Sequence, residues 1–233
     1  VMEVALEAGA EDVISEDGGY KLSLTKNFIA LSTMRYTGWE DFARMLDEPL
    51  GQFIRLYQPF GAKKKGTVYQ LVDSFSLFHY RFLTGVAKGD AAFWMSTADS
   101  PQRATWLGLS FEMLCLQHIA QIKRRLGISG LHCGVCSWWH QADEDYPIGA
   151  QIDLLIDRAD NVVNVCEMKY APGEYALSSD EAERLCWRKT AFASETGVKK
   201  TMRLTLVTPV GLVRNAHAGI VQNVVTLNDL FRE

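Results

Sequence analysis

Asp153, Glu167 and Lys169 form the spacing with the most chemistry in this chain of 233 residues. They fall within "QIDLLIDRADNVVNVCEMKYA", residues 151–171, which reads as two apolar strands joined by a polar turn at Asp160-Asn161. The second strand, Val162 to Met168, is rich in β-branched residues, the composition that suits a packed, pleated surface. Glu167 and Lys169 stand two apart on it, so both side chains point to one face. Buried charges are costly unless each finds a partner or a metal. Carboxylates on adjacent strands can share a hard divalent cation with oxygen ligands, Mg2+ or Mn2+. The cation offsets their repulsion and polarises a phosphate, while a lysine beside it orients a water or stabilises developing charge. Glu112, on a helix upstream, supplies a third carboxylate.

Register decides whether this set assembles. For Asp153 to face Glu167, Asp157 must pair with Val163 around a five-residue loop. A four-residue loop throws Glu167 to the opposite face. Both loop lengths are common in hairpins, so the sequence leaves the two open.

The elements that position these residues begin with a long helix over 107–126, "LGLSFEMLCLQHIAQIKRRL", with Gly127 just past its end. Strand-like "LHCGVCSWWH" follows, then the two strands already described, a helix from about Ser178 to Glu195, and the strand "MRLTLVTP". "NVVTLNDLF" closes the chain. The order is helix, three strands, helix, strand, over a domain of residues 103–233. The polar stretch 89–102, "GDAAFWMSTADSPQ", is the best linker candidate, with 96–102 as the linker itself.

Upstream, "WEDFARMLDEP" reads as a helix stopped by Pro49. In "FIRLYQPFGAKKKGTVYQLVD" two strand-like segments flank a loop bearing Lys63, Lys64 and Lys65, and Ser74 then caps an aromatic helix. A helix followed by a hairpin with a basic tip suggests a winged-helix module over 49–95, its lysines touching DNA. The plainer reading of the same lysines is a solvated hairpin tip. The first segment of the 1–48 stretch, residues 1–22, reads as a short amphipathic helix, an Ala/Gly turn and a strand after Gly18-Gly19.

Asp153, Glu167 and Lys169, following a helix that bears Glu112, resemble the PD-(D/E)XK nuclease superfamily, whose core order matches the one just read. The text "GAQIDLLIDR…VCEMKY", residues 149–170, resembles more narrowly the C-terminal nuclease-like domain of a family of prokaryotic P-loop ATPases. The winged-helix segment is similar to the one preceding that domain, so the likeness spans roughly 49–233. It implies that Asp153 and Glu167 ligate Mg2+ or Mn2+, that Lys169 is the catalytic lysine, that Glu112 is an accessory acid, and that Gln151 supports the rim. Ile152 stands where the superfamily usually has Pro. Neither "GAKKKG" nor "GVAKGD" ends in the Gly-Lys-Ser/Thr that grips phosphate, so ATP hydrolysis is not expected. Val rather than Met at position 1 suggests a piece of a longer chain, with the ATPase module as partner or missing half. Separately, "ALEAGAEDV", residues 5–13, resembles a run in the YebC-type regulators.

Composition bounds the rest. Net charge is −4, with −6 on residues 1–48, +4 on 49–95 and −2 on 96–233. The overall acidity argues against a protein that coats nucleic acid indiscriminately, while the middle segment keeps a local basic surface. No apolar run is long enough for a membrane span, and no secretory signal is visible. Five scattered cysteines fit reduced thiols of a cytoplasmic protein. Cys133 and Cys136, three apart on a strand, should point to opposite faces rather than share zinc. His118 reads as a hydrogen-bonded core histidine, Trp138-Trp139 as a core cover rather than a base stack, and Lys123-Arg124-Arg125 as complementing a helix end.

The expected protein is α/β: a restriction-endonuclease-like core preceded by a small winged-helix-like module, acting on DNA as a Mg2+-dependent nuclease. The alternative is a non-catalytic module of the same fold that binds DNA or a partner. A YebC-like regulator rests on the first twenty residues alone.

Overall fold

A computed structural model of the chain describes residues 20–24, 29–33, 54–57, 59–61, 68–83, 92–140 and 149–232. Lys63, Lys64, Lys65, the helix expected before Pro49 and the YebC-like run lie outside the described residues. The class is mixed α/β: the described residues form two two-stranded sheets, one five-stranded sheet and several helices. The chain divides into two compact units, residues 1–55 with 71–88, and residues 56–70 with 89–233.

β1 (Tyr20–Leu24) follows Gly18-Gly19 and pairs antiparallel with β2 (Ile29–Thr33), Tyr20 opposite Thr33. β3 (Ile54–Tyr57) and β4 (Val68–Leu71) make the second small sheet. α1 (Ser74–Phe78) runs into a π-helical turn, His79–Leu83. Ser74 is the first helical residue rather than the cap; the residue before it, Asp73, accepts the Leu77 amide at 3.1 Å through its carbonyl.

In the larger unit, residues 96–102 hold the end of α2 (Phe93–Ser96), a turn, and the cap and first turn of α3 (Pro101–Gln117). Ser100 Oγ accepts the Arg103 amide, and Pro101 occupies the first helical position, where its missing N–H costs nothing. Arg103 ties α2 to α3: its guanidinium lies 4.1 Å from the centre of the Trp94 ring and donates to the Trp94 carbonyl at 2.8 Å.

The long helix expected over 107–126 therefore starts earlier, and it breaks at His118. The His118 ring Nδ1 donates to the Leu114 carbonyl at 2.8 Å, the acceptor its own amide would take in an unbroken helix. The amide turns instead to the Cys115 carbonyl, and α4 (Ile119–Arg125) restarts the path. Gly127, at φ 70°, ends α4: its amide bonds the Arg124 carbonyl and that of Ile128 bonds Lys123, a Schellman closure. Arg125 in the last turn meets Asp229 at 3.3 Å.

The main sheet runs in spatial order β5 (Cys133–His140), β6 (Ala150–Arg158), β7 (Val162–Met168), β8 (Thr201–Thr208) and β9 (Asn223–Thr226). The first three are antiparallel neighbours, while β7–β8 and β8–β9 are parallel. α5 (Ser179–Thr196) links β7 to β8, and α6 (Leu227–Leu230) follows β9. A Ser178–Glu181 capping box starts α5, and left-handed Gly197 ends it.

Each face of the sheet carries its own core. Phe111, Cys115, Leu116 and Ile122 from α3 and α4 pack with Leu154, Ile156, Cys166 and Met168. Leu185, Ala191 and Phe192 from α5 pack with Trp138, Ile152, Leu155, Val163 and Val165. Full burial of such a side chain contributes about 1.5–3 kcal/mol, so the two layers fix the strand register between them. Cys133 packs on the first face and Cys136 on the second, as the strand period requires, and all five cysteines are free thiols. Trp138 is buried against Phe192 while Trp139 is 40% exposed. Among the described residues no helix is long and apolar enough to cross a membrane.

Candidate functional site

Asp157 pairs with Val163, the register in which Asp153 and Glu167 come opposite each other. The turn that permits it places Asn161 in the left-handed region at φ 69°, and Arg158 donates to Asp160 within it. The β6–β7 pairing runs from there to Leu154 opposite Cys166 and stops. The next residue on each strand is Asp153 and Glu167.

β6 departs from its other neighbour at the same place. Cys136 pairs with Leu155, but Trp138 pairs with Ile152, so Asp153 and Leu154 together face the single residue Ser137. This is a β-bulge, a device that bends a strand and re-aims a side chain. Its effect is visible in the packing: Ile152 and Leu155, three apart, both join the α5-side core. A regular strand would put them on opposite faces.

Glu167 and Lys169 share a face as their spacing dictates, with Lys169 Nζ 3.0 Å from Glu167 Oε1. Arg188 on α5 adds a second cation, its Nη1 lying 3.2 and 3.0 Å from the two Glu167 oxygens. The Glu167 side chain is only 12% exposed, so these contacts answer the cost of burying it. The Lys169 amide donates to the Val207 carbonyl at 2.9 Å, which holds the lysine backbone against β8. Gln151 donates through its side-chain amide to Asp153 Oδ1.

Electrostatics tie the remaining carboxylates to this pair. Burial raises the Asp153 carboxyl above its usual range and Glu167 adds to the rise, while Gln151, Arg188 and Lys169 oppose it. Glu112, half-buried on α3, is raised from 4.5 to about 7. Burial is the first cause and the Asp153 charge the second; Lys169 pulls down and Glu167 pushes up. Glu112, Asp153, Glu167 and Lys169 thus feel one another's charge although they come from three elements.

A cavity of about 150 Å³ opens beside Glu167 and Lys169, walled by Tyr175, Glu181, Arg184 and Arg188. The Tyr175 hydroxyl donates to Glu181, the carboxylate that also caps α5. Burial, then this bond, push the Tyr175 phenol up; on Glu181 the bonds from Tyr175 and Ser178 outweigh burial and hold the carboxyl down. These four wall residues escape a reading of the sequence. Arg184 and Arg188, four apart, look like the solvent side of a helix until α5 packs on the sheet.

Among the described residues, no three His, Cys, Asp or Glu side chains converge into a ready-made metal cage. Mg2+ needs less than that: one or two carboxylates, with waters and phosphate oxygens completing its shell. Asp153 and Glu167 fit this requirement as hard oxygen donors, and the carboxylate repulsion that adds to the burial of Asp153 and Glu112 is the kind a divalent cation relieves. No protein-family model, curated protein or solved structure matches the chain.

Proposed function

We propose that the chain is the nuclease-like part of an ATPase-family protein and that it cleaves DNA with Mg2+ or Mn2+. In this reading residues 103–233 are a restriction-endonuclease-like core and 49–95 a winged-helix-like module that uses Lys63, Lys64 and Lys65 on DNA. One observation carries it: Asp153 and Glu167 lie just past the last β6–β7 pair, with Lys169 and Glu112 electrostatically coupled to them.

Asp153 and Glu167 would hold the cation, which when bound polarises a phosphodiester and makes a water more acidic. Lys169, fixed by its backbone bond to Val207, directs its amine at the attacking water or the phosphate oxygens. Gln151 keeps the Asp153 carboxylate turned into the site. Glu112, at about 7, exchanges a proton readily at neutral pH, the property a general acid or base needs.

Supercoiled plasmid and single-stranded DNA, incubated with each metal, test this reading. Wild-type protein should cut at least one of them, and Asp153→Ala and Lys169→Met should not, with circular dichroism unchanged. Cleavage by Asp153→Ala at the wild-type rate would sink the assignment.

A second reading, a non-catalytic module that binds DNA or an ATPase partner, draws on Glu167 being held by Lys169 and Arg188 at once. DNA binding without cleavage under either metal would select it.

A further inference from the structure

We infer that Arg188 is the exchangeable counter-ion of Glu167: it holds that carboxylate until a divalent cation takes its place, then turns into the adjoining cavity. This rests on the metal reading above and goes beyond it, because neither the spacing nor the family likeness points to α5.

Three observations support the exchange. The first is the form of the contact. Arg188 meets both Glu167 oxygens through Nη1 alone, not in the side-on, two-nitrogen fork that makes arginine–carboxylate pairs strong and specific. Nε and Nη2 bond to none of the described residues, so the pair rests on a single nitrogen.

The second is charge. Asp153 and Glu167 face Lys169 and Arg188, two carboxylates against two cations. A divalent cation added with Arg188 still in place would leave a positive excess. Moving Arg188 off Glu167 lessens that excess at the carboxylate itself.

The third is room. Arg188 lines the cavity of about 150 Å³ together with Arg184, an exposed cation one helical turn away. A water occupies about 30 Å³ of liquid, so the space holds several, or a phosphate group in their stead. Arg188 can leave Glu167 without losing a polar setting. The cavity it enters already carries Lys169 and Arg184, the cations a phosphodiester would meet.

Calorimetric titration of Mn2+ into wild type, Arg188→Met and Arg188→Lys tests the exchange, each protein checked by circular dichroism. Arg188→Met removes the competing charge and should bind Mn2+ about tenfold more tightly than wild type, the scale of one lost charge-assisted contact. Arg188→Lys keeps the charge and should stay close to wild type. If Arg188→Met does not fold, the neutral Arg188→Gln is read in its place. Equal or weaker Mn2+ binding by the folded neutral variant overturns the exchange and leaves the metal site standing. Absence of Mn2+ binding by both wild type and the neutral variant overturns the metal reading and the exchange with it.

Discussion

Asp157 pairs with Val163, and that one pairing puts Glu167 on the α5 side of the sheet beside Lys169 and Arg188. The turn behind it has five residues, with Asn161 at φ 69°. One residue fewer would send Glu167 to the other face, where Cys166 and Met168 pack against α3 and α4. The candidate site therefore hangs on a surface turn at the far end of the same strand pair.

Asn161→Val should destabilise the protein by about 1–2 kcal/mol, because a β-branched residue resists the left-handed conformation. Asn161→Gly should be close to neutral. Thermal unfolding of the three proteins checks this; a Val variant as stable as wild type would mean that the turn does not hold its register.

The pH dependence of stability should carry the mark of Glu112. A carboxyl raised from 4.5 to about 7 binds its proton more tightly in the folded state. Its contribution is fully present below pH 4.5 and is lost as pH rises through 7, with Asp153 acting in the same direction. In chelator, Glu112→Gln should melt above wild type at pH 8, and the gap should close as pH falls toward 4.5. A gap that widens at acid pH would contradict the coupling.

Much of the scaffold was legible because its signals are local. Gly127 ends α4 by adopting a φ value other residues avoid, and Asp160-Asn161 marks its turn. β-branched runs place β7, and α5 begins beside Ser178 as the sequence suggests. The helix order around three strands followed from these. What stayed hidden depends on contacts between distant residues or on side-chain competition. His118 interrupts a helix because its ring takes the Leu114 carbonyl, and composition gives no hint of that. The bulge at Asp153 exists only in relation to Ser137 on β5. Arg188 is 21 residues from Glu167, and only the packing of α5 brings the two together.

The adjacent tryptophans separate core from surface. Trp138, 5% exposed and edge-on to Phe192 at 5.5 Å, should cost about 3–5 kcal/mol on truncation to Ala. Trp139, 40% exposed, should cost less than about 1 kcal/mol. Denaturant midpoints of the two variants decide it. A larger loss at Trp139 would mean that the α5-side core is wrongly drawn.

The central claim is that Asp153 and Glu167 together hold a divalent cation, and Mn2+ titration followed by electron paramagnetic resonance tests it most directly. Wild type should bind one Mn2+, visible as loss of the free-ion signal, and Glu167→Ala and Asp153→Ala should each abolish that binding while remaining folded. Full-strength Mn2+ binding by either variant, or none by wild type, would contradict the claim.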